Sequence, residues 1–190
     1  MVNSVRRGRL KQEGTRFVRG LCHRLAERQG AAALWGALAS LVLILAAAAV
    51  LDVYRLSTTR DWAYQVASDA ALRGVSRGRD FASLTQSGSM RLDETIAREE
   101  AMSAAEAALA EKGIALYVLD VRVLPDGGVE YGFPPVPRAS QTGETSWSST
   151  EPAVGVYLEI SVPVAFFGWV NGSSSVPVHA FAAAALADVR

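Results

Sequence analysis

Ser173, Ser174 and Ser175 stand just ahead of His179, one of two histidines in 190 residues, and form the chain's nearest approach to a nucleophile with its base. Period-two alternation around His179 puts it on the outer face of a strand, so the spacing is that of an exposed strand histidine and not of a triad. Glu99 and Glu100 are paired acids, but adjacent helical positions point about 100° apart, so they read as a solvated face instead of an acid and base facing one bond. His23 and His179 are separated by a long apolar segment, which rules out a zinc site built on several histidines. Cys22 is the only cysteine, so no intrachain disulfide can form. There is no P-loop, no paired-glycine dinucleotide fingerprint and no CxxC; Asn171-Gly172-Ser173 is a glycosylation sequon, relevant only where the machinery exists. These residues predict a protein that is not an enzyme, with no catalytic, metal or cofactor-binding residues, no cofactor and no small-molecule substrate.

The elements around them are dominated by residues 31–51, twenty-one positions without a charge. As a helix this stretch is about 31 Å long, the thickness of a bilayer's hydrocarbon core. Residues 1–30 carry eight basic against two acidic side chains, and the remainder eleven against seventeen, although the whole chain is formally neutral. The positive-inside rule then keeps the head cytoplasmic and exports the rest, which predicts a single-pass membrane protein. The rival is a cleaved secretory signal, with Ala46, Ala47 and Ala48 as its small-residue site; a basic region of thirty residues and so long an apolar run argue against it. The basic head reads as a topology anchor, so nucleic acid is not an expected partner. The expected organisation is a basic cytoplasmic head (1–30), a transmembrane helix (31–51), a membrane-proximal helix (52–78) and an exported α+β domain (79–190).

Residues 52–77 hold no proline, and no glycine before Gly74. Val53, Leu56, Ala63, Val66, Ala67 and Ala70 form one helical stripe, opposite Asp61, Gln65, Asp69, Arg73 and Arg77; Asp69 and Arg73 have the order of an i, i+4 ion pair. Span and stripe together predict a rod about 70 Å long. Residues 78–88 (GRDFASLTQSG) read as a loop. Asp93 then caps a helix with Ala97, Ala101, Ala104, Ala105, Ala108 and Leu109 on one face, and Gly113 ends it in a left-handed conformation.

Beyond Gly113 the period changes to two. Tyr117, Leu119, Val121 and Val123 alternate with polar neighbours, and Asp126-Gly127-Gly128 predicts a hairpin into residues 129–133. Prolines 134, 135 and 137 stop that strand, and residues 138–150 read as a polar loop. Val154 to Phe166 alternate most cleanly, residues 167–175 turn, and Val176, Val178, Ala180, Ala182, Ala184 and Leu186 form the last inward face, with Phe181 outward. The expected fold class is α+β: a long N-terminal transmembrane helix continuing as a rod, then an antiparallel sheet of about four strands covered by an α-helix.

The span followed by Leu51-Asp52-Val53-Tyr54-Arg55, and then Gln65-Val66-Ala67-Ser68-Asp69-Ala70-Ala71-Leu72-Arg73-Gly74, resembles the amino-terminal signature of TadE/TadG-like proteins of the Flp (tight adherence) pilus. The tail from residue 154 is similar to that family's closing pattern of a valine-alternating strand, an aromatic/Gly turn and an Ala-rich strand. The resemblance implies a non-enzymatic minor pilin or pseudopilin that supports a type IV-like filament. Its motif residues are Asp52, Arg55, Gln65, Asp69, Ala70 and Ala71, and its implied partners are the membrane and other pilus or secretion-system subunits. Prepilin-type processing would fall between Gly30 and Ala31; the fifth position beyond, where pilins carry glutamate, is Trp35. A processed and a permanently anchored form therefore both stand open, as does a membrane-anchored sensory or ligand-binding module.

Overall fold

The computed structural model describes the backbone of residues 4–137 and 145–186, and side chains from residue 31 onward except Gln86, Ser87 and Asn171. The basic side chains of the head and most of the expected polar loop lie outside the described residues. The chain forms two compact units, Met1–Val50 and Leu51–Arg190.

Helix α1 (Ser4–Arg77) is the only long element of the first unit. No proline interrupts residues 31–50, and the Ser40 hydroxyl donates to the Gly36 carbonyl at 2.9 Å, so even that polar group is satisfied within the helix. Leu34 and Trp35 are 70% and 69% exposed, and most side chains of residues 31–50 are exposed with them. This helix, near the N-terminus, is long and apolar enough to cross a membrane. Bare apolar surface is unfavourable in water at about 25 cal/mol per Å², a penalty that a lipid surrounding removes.

In the second unit α1 is followed by β1 (Arg79–Asp80), α2 (Phe81–Ser87), β2 (Arg91–Leu92), α3 (Glu94–Glu111), β3 (Tyr117–Leu124), β4 (Gly128–Tyr131), β5 (Ser146–Ser149), β6 (Ala153–Pro163), α4 (Phe166–Asn171) and β7 (Ser175–Ala185). The main sheet has three antiparallel strands in the order β3-β6-β7; β1 pairs with β2, and β4 with β5. The unit is α+β, as expected, but the sheet is three-stranded with two small satellite ladders instead of about four strands in one.

The inward faces are those the alternation predicts, except that Tyr117 at the start of β3 is exposed. Val154, Val156, Leu158 and Ile160 of β6, Val121 and Val123 of β3, and Ala180 and Ala182 of β7 share a core with Ala97, Ala101, Ala105 and Leu109 of α3. The α1 stripe completes it, from Ala63 through Val66, Ala67, Ala70 and Ala71 to Val75. It starts later than the sequence predicts: Val53 is exposed and Leu56 half-buried.

Helix α3 begins at the cap of Asp93, whose carboxylate accepts from the Ile96 N–H at 3.0 Å, and is followed by Gly113 at φ 71°. It runs back along α1, with the Lys112 ammonium 4.3 Å from the Trp62 ring centre. The helices touch at their smallest residues. A Cβ on Gly74 would lie 2.7 Å from the Ala97 carbonyl oxygen, and one on Gly78 would lie 2.5 Å from the Ala97 Cβ. Here the glycines are needed for close approach.

Several expectations are corrected. Residues 78–88 are not a loop: Asp80 accepts from the N–H of Ala82 and Ser83 and caps α2, which Gly88 closes at φ 72°. The Asp126-Gly127-Gly128 turn does not fold β4 onto β3. Two successive glycines at positive φ turn the chain away, β4 pairs with Ser146–Ser149 from the expected loop, and β3 pairs instead with the longer β6. Arg73 bonds Glu100 on α3 at 3.2 Å instead of Asp69.

Phe181 does not face solvent. Phe133, Trp147 and Phe181 meet edge to face at 5.4–6.2 Å between ring centres, and with Leu124, Ala153 and Tyr157 form a second core on the sheet's other face. Gly155 makes room for it, since a Cβ there would lie 2.9 Å from Phe133 and 3.1 Å from Trp147. The residues expected to turn after β6 include α4, and its first N–H groups explain a buried carboxylate.

Candidate interaction site

Asp52 is 1% exposed, the most deeply buried charged side chain among the described residues. It lies on α1 directly after the uncharged stretch. Ala165, the N-cap residue of α4, has no side chain able to take the free N–H groups that every helix start leaves. Asp52 supplies that acceptor from a different element. Its Oδ1 accepts from Ala165 N–H at 3.1 Å, and its Oδ2 from Phe166 and Phe167 N–H at 2.7 and 3.1 Å. The Ala165 N–H chiefly holds the carboxyl below its ordinary value of 3.8 against burial, which pushes it up; Phe167, Phe166 and the Arg55 charge add to the lowering. Asp52 is thus an ionised strut between α1 and the β6–β7 connection.

Further along α1, Leu56, Asp61, Tyr64 and Gln65 form one wall of an open groove of about 1350 Å³. Val176 to Phe181 of β7 and residues Pro134, Val136 and Pro137 form the others. Tyr157, Glu159 and His179 meet at this groove: the Tyr157 hydroxyl is 2.8 Å from His179 Nδ1 and donates to Glu159 Oε2 at 3.1 Å. A phenol has one proton, so a Tyr157 that donates to Glu159 accepts from a protonated Nδ1 of His179. Burial first, then Glu159, raise the phenol above its ordinary value, so it stays protonated at neutral pH. The Ser173 hydroxyl donates to the Ser175 carbonyl at 2.6 Å, and His179 is engaged by Tyr157 and Glu159; the two parts of the supposed triad are occupied separately.

Of the residues singled out in the sequence, Asp52, Ala70 and Ala71 are buried, the alanines against α3 and the sheet and Asp52 at α4. Arg55, Gln65 and Asp69 are exposed; Arg55 acts on Asp52 through its charge and Gln65 lines the groove. Gly30 and Ala31 fall within α1, in the first unit. The Tyr157–Glu159–His179 cluster escaped sequence reasoning. Its only signal was polar residues at alternate positions of two strands, whose register (Tyr157↔Phe181, Glu159↔His179) a sequence does not print.

Fold and site together define a class: an α+β protein in which the single candidate membrane helix among the described residues, near the N-terminus, precedes an antiparallel sheet unit. No protein-family model, curated protein or solved structure matches the chain.

Proposed function

We propose that this chain is a non-enzymatic, single-pass protein of a bacterial envelope, similar to TadE/TadG-like proteins, that supports assembly or anchoring of a type IV-like Flp/Tad pilus or secretion filament. On this reading residues 31–51 cross the inner membrane, the basic head stays in the cytoplasm and the sheet unit is exported. One observation supports it above others: a single helix carries both the uncharged stretch and the alanine stripe buried in the sheet unit. A subunit built so can move its apolar helix from lipid into a helical filament core without refolding its domain. Other pilin-like subunits are the partners this implies.

Alkaline extraction, protease protection and N-terminal sequencing of protein from bacterial membranes test the anchor. A start at Met1 with a protected head supports the anchored form and a start at Ala31 the processed form; a start near Val50 overturns the anchor. A photocrosslinker at Leu38 tests the filament role, because it should trap pilin-like helices, and recovery of lipid adducts alone would reject it.

A second reading, a membrane-anchored sensory or ligand-binding module, is favoured by the groove and its Tyr157–Glu159–His179 cluster. It requires a ligand whose stabilisation of the protein is lost in His179→Ala.

A further inference from the structure

We propose that α4 is a membrane-contacting segment, seated in the lipid headgroup region beside the point where α1 leaves the bilayer. The inference rests on the membrane reading of residues 31–51 and adds a second, peripheral contact to it.

Three observations converge. Asp52 follows directly on a stretch that, as a helix, matches the hydrocarbon thickness, so a spanning α1 brings Asp52 to the headgroup level. The Phe166 N–H is bonded to Asp52 at 2.7 Å, which fixes the start of α4 at that same level, and the backbone of Trp169 is only about 5 Å further along a helical rise. Finally, α4 has the composition of an interface: Trp169 is 75% and Val170 56% exposed, and Phe166 and Phe167 are half-buried. In water this would be an unexplained apolar patch. At the bilayer surface, tryptophan and tyrosine rings are favoured because an apolar body meets lipid while a polar edge meets water.

The neighbouring α1 residues suit the same layer. Leu51 and Tyr54 are exposed within one turn of Asp52, and Arg55 is exposed with a guanidinium free to reach phosphate. Asp52 itself, a charge at the edge of lipid, is covered and bonded to three N–H groups, which removes the cost of an unsolvated carboxylate there. The occupant is therefore the bilayer that holds α1, since the strut from Asp52 ties the patch to the membrane exit.

Environment-sensitive fluorophores test this on the full chain in phosphatidylcholine nanodiscs. With Cys22 replaced by serine, single thiols are introduced by Leu38→Cys in the stretch, Trp169→Cys on α4 and Thr85→Cys on α2, beyond the far end of α1. Quenching is read with lipids spin-labelled at the headgroup or near the acyl terminus. The expected result is Leu38→Cys quenched by the deep label, Trp169→Cys quenched several-fold more by the headgroup label than Thr85→Cys is, and Thr85→Cys left unquenched by both labels. If Leu38→Cys is quenched but Trp169→Cys behaves like Thr85→Cys, α4 stands off the bilayer and this inference alone falls. Stronger quenching of Trp169→Cys by the deep label would also overturn its interfacial placement. If Leu38→Cys is not quenched, the membrane reading fails and the inference with it. Val170→Cys provides a second reporter should replacement of Trp169 impair folding.

Discussion

The Asp52 carboxylate accepts the Phe166 backbone N–H at 2.7 Å across 114 positions of sequence. It caps a short helix that has no capping side chain of its own, and it does so from the first residue beyond the uncharged stretch.

Replacing Asp52 by alanine frees three N–H groups in a covered site, so the melting temperature should fall, more for Asp52→Ala than for Asp52→Asn, which keeps one acceptor. The carboxyl is lowered in the folded chain. Its stabilisation is therefore present above its ordinary value of 3.8 and is lost as pH falls through the folded value. Acid titration of stability should show this loss in the parent and a flatter profile in Asp52→Asn.

Gly78→Ala places a methyl 2.5 Å from the Ala97 Cβ and 2.8 Å from its Cα. Helix α3 has to shift, and urea unfolding should show a loss of about 1–3 kcal/mol, the usual range for overpacking. A neutral result would mean that α1 and α3 are less closely apposed than described.

Phe133→Ala removes the ring at the centre of the aromatic cluster, in contact with both Trp147 and Phe181. A loss of about 3–5 kcal/mol is expected, together with a red shift of Trp147 emission as the second core admits water. A change under 1 kcal/mol would show that this layer adds little to the fold.

Tyr157→Phe keeps the packing of the ring and deletes only the hydroxyl shared by Glu159 and His179. The expected cost is about 1 kcal/mol, since both partners are half-buried and water can replace part of what is lost.

Arg73→Ala should cost about 0.5 kcal/mol or less despite its 3.2 Å contact with Glu100, because the side chains are 55% and 36% exposed. Measured beside Gly78→Ala, it separates what the α1–α3 contact owes to packing from what it owes to charge.

Long periodic signals carried most of the fold in the sequence. The α3 face from Ala97 to Leu109 and the alternation of β6 and β7 are where the pattern puts them, because burial on one face enforces a period that composition displays. The failures have physical reasons. Ser146–Ser149 is a strand whose sole apolar residue is Trp147, so serine content disguised it as a loop. Phe181 looked outward because it does lie on the other face; what the sequence hid was a second layer to cover it. Asp52 was visible as a motif residue, but its role depends on N–H groups more than a hundred positions away, and backbone donors have no letter in a sequence.

The alanine stripe of α1 has a consequence for any soluble form of this protein. Ala63, Ala67, Ala70 and Ala71 are wholly or almost wholly covered, and they cover the same core as Leu158 and Ala101. A protease cutting after Arg77 would not release a folded domain; it would strip one wall from the core and expose the sheet. Shedding with the core intact requires a cut ahead of Ala63, and one that also spares the Asp52 strut has to fall near Leu51, so detachment from the membrane and survival of the domain are decided within a few turns of helix.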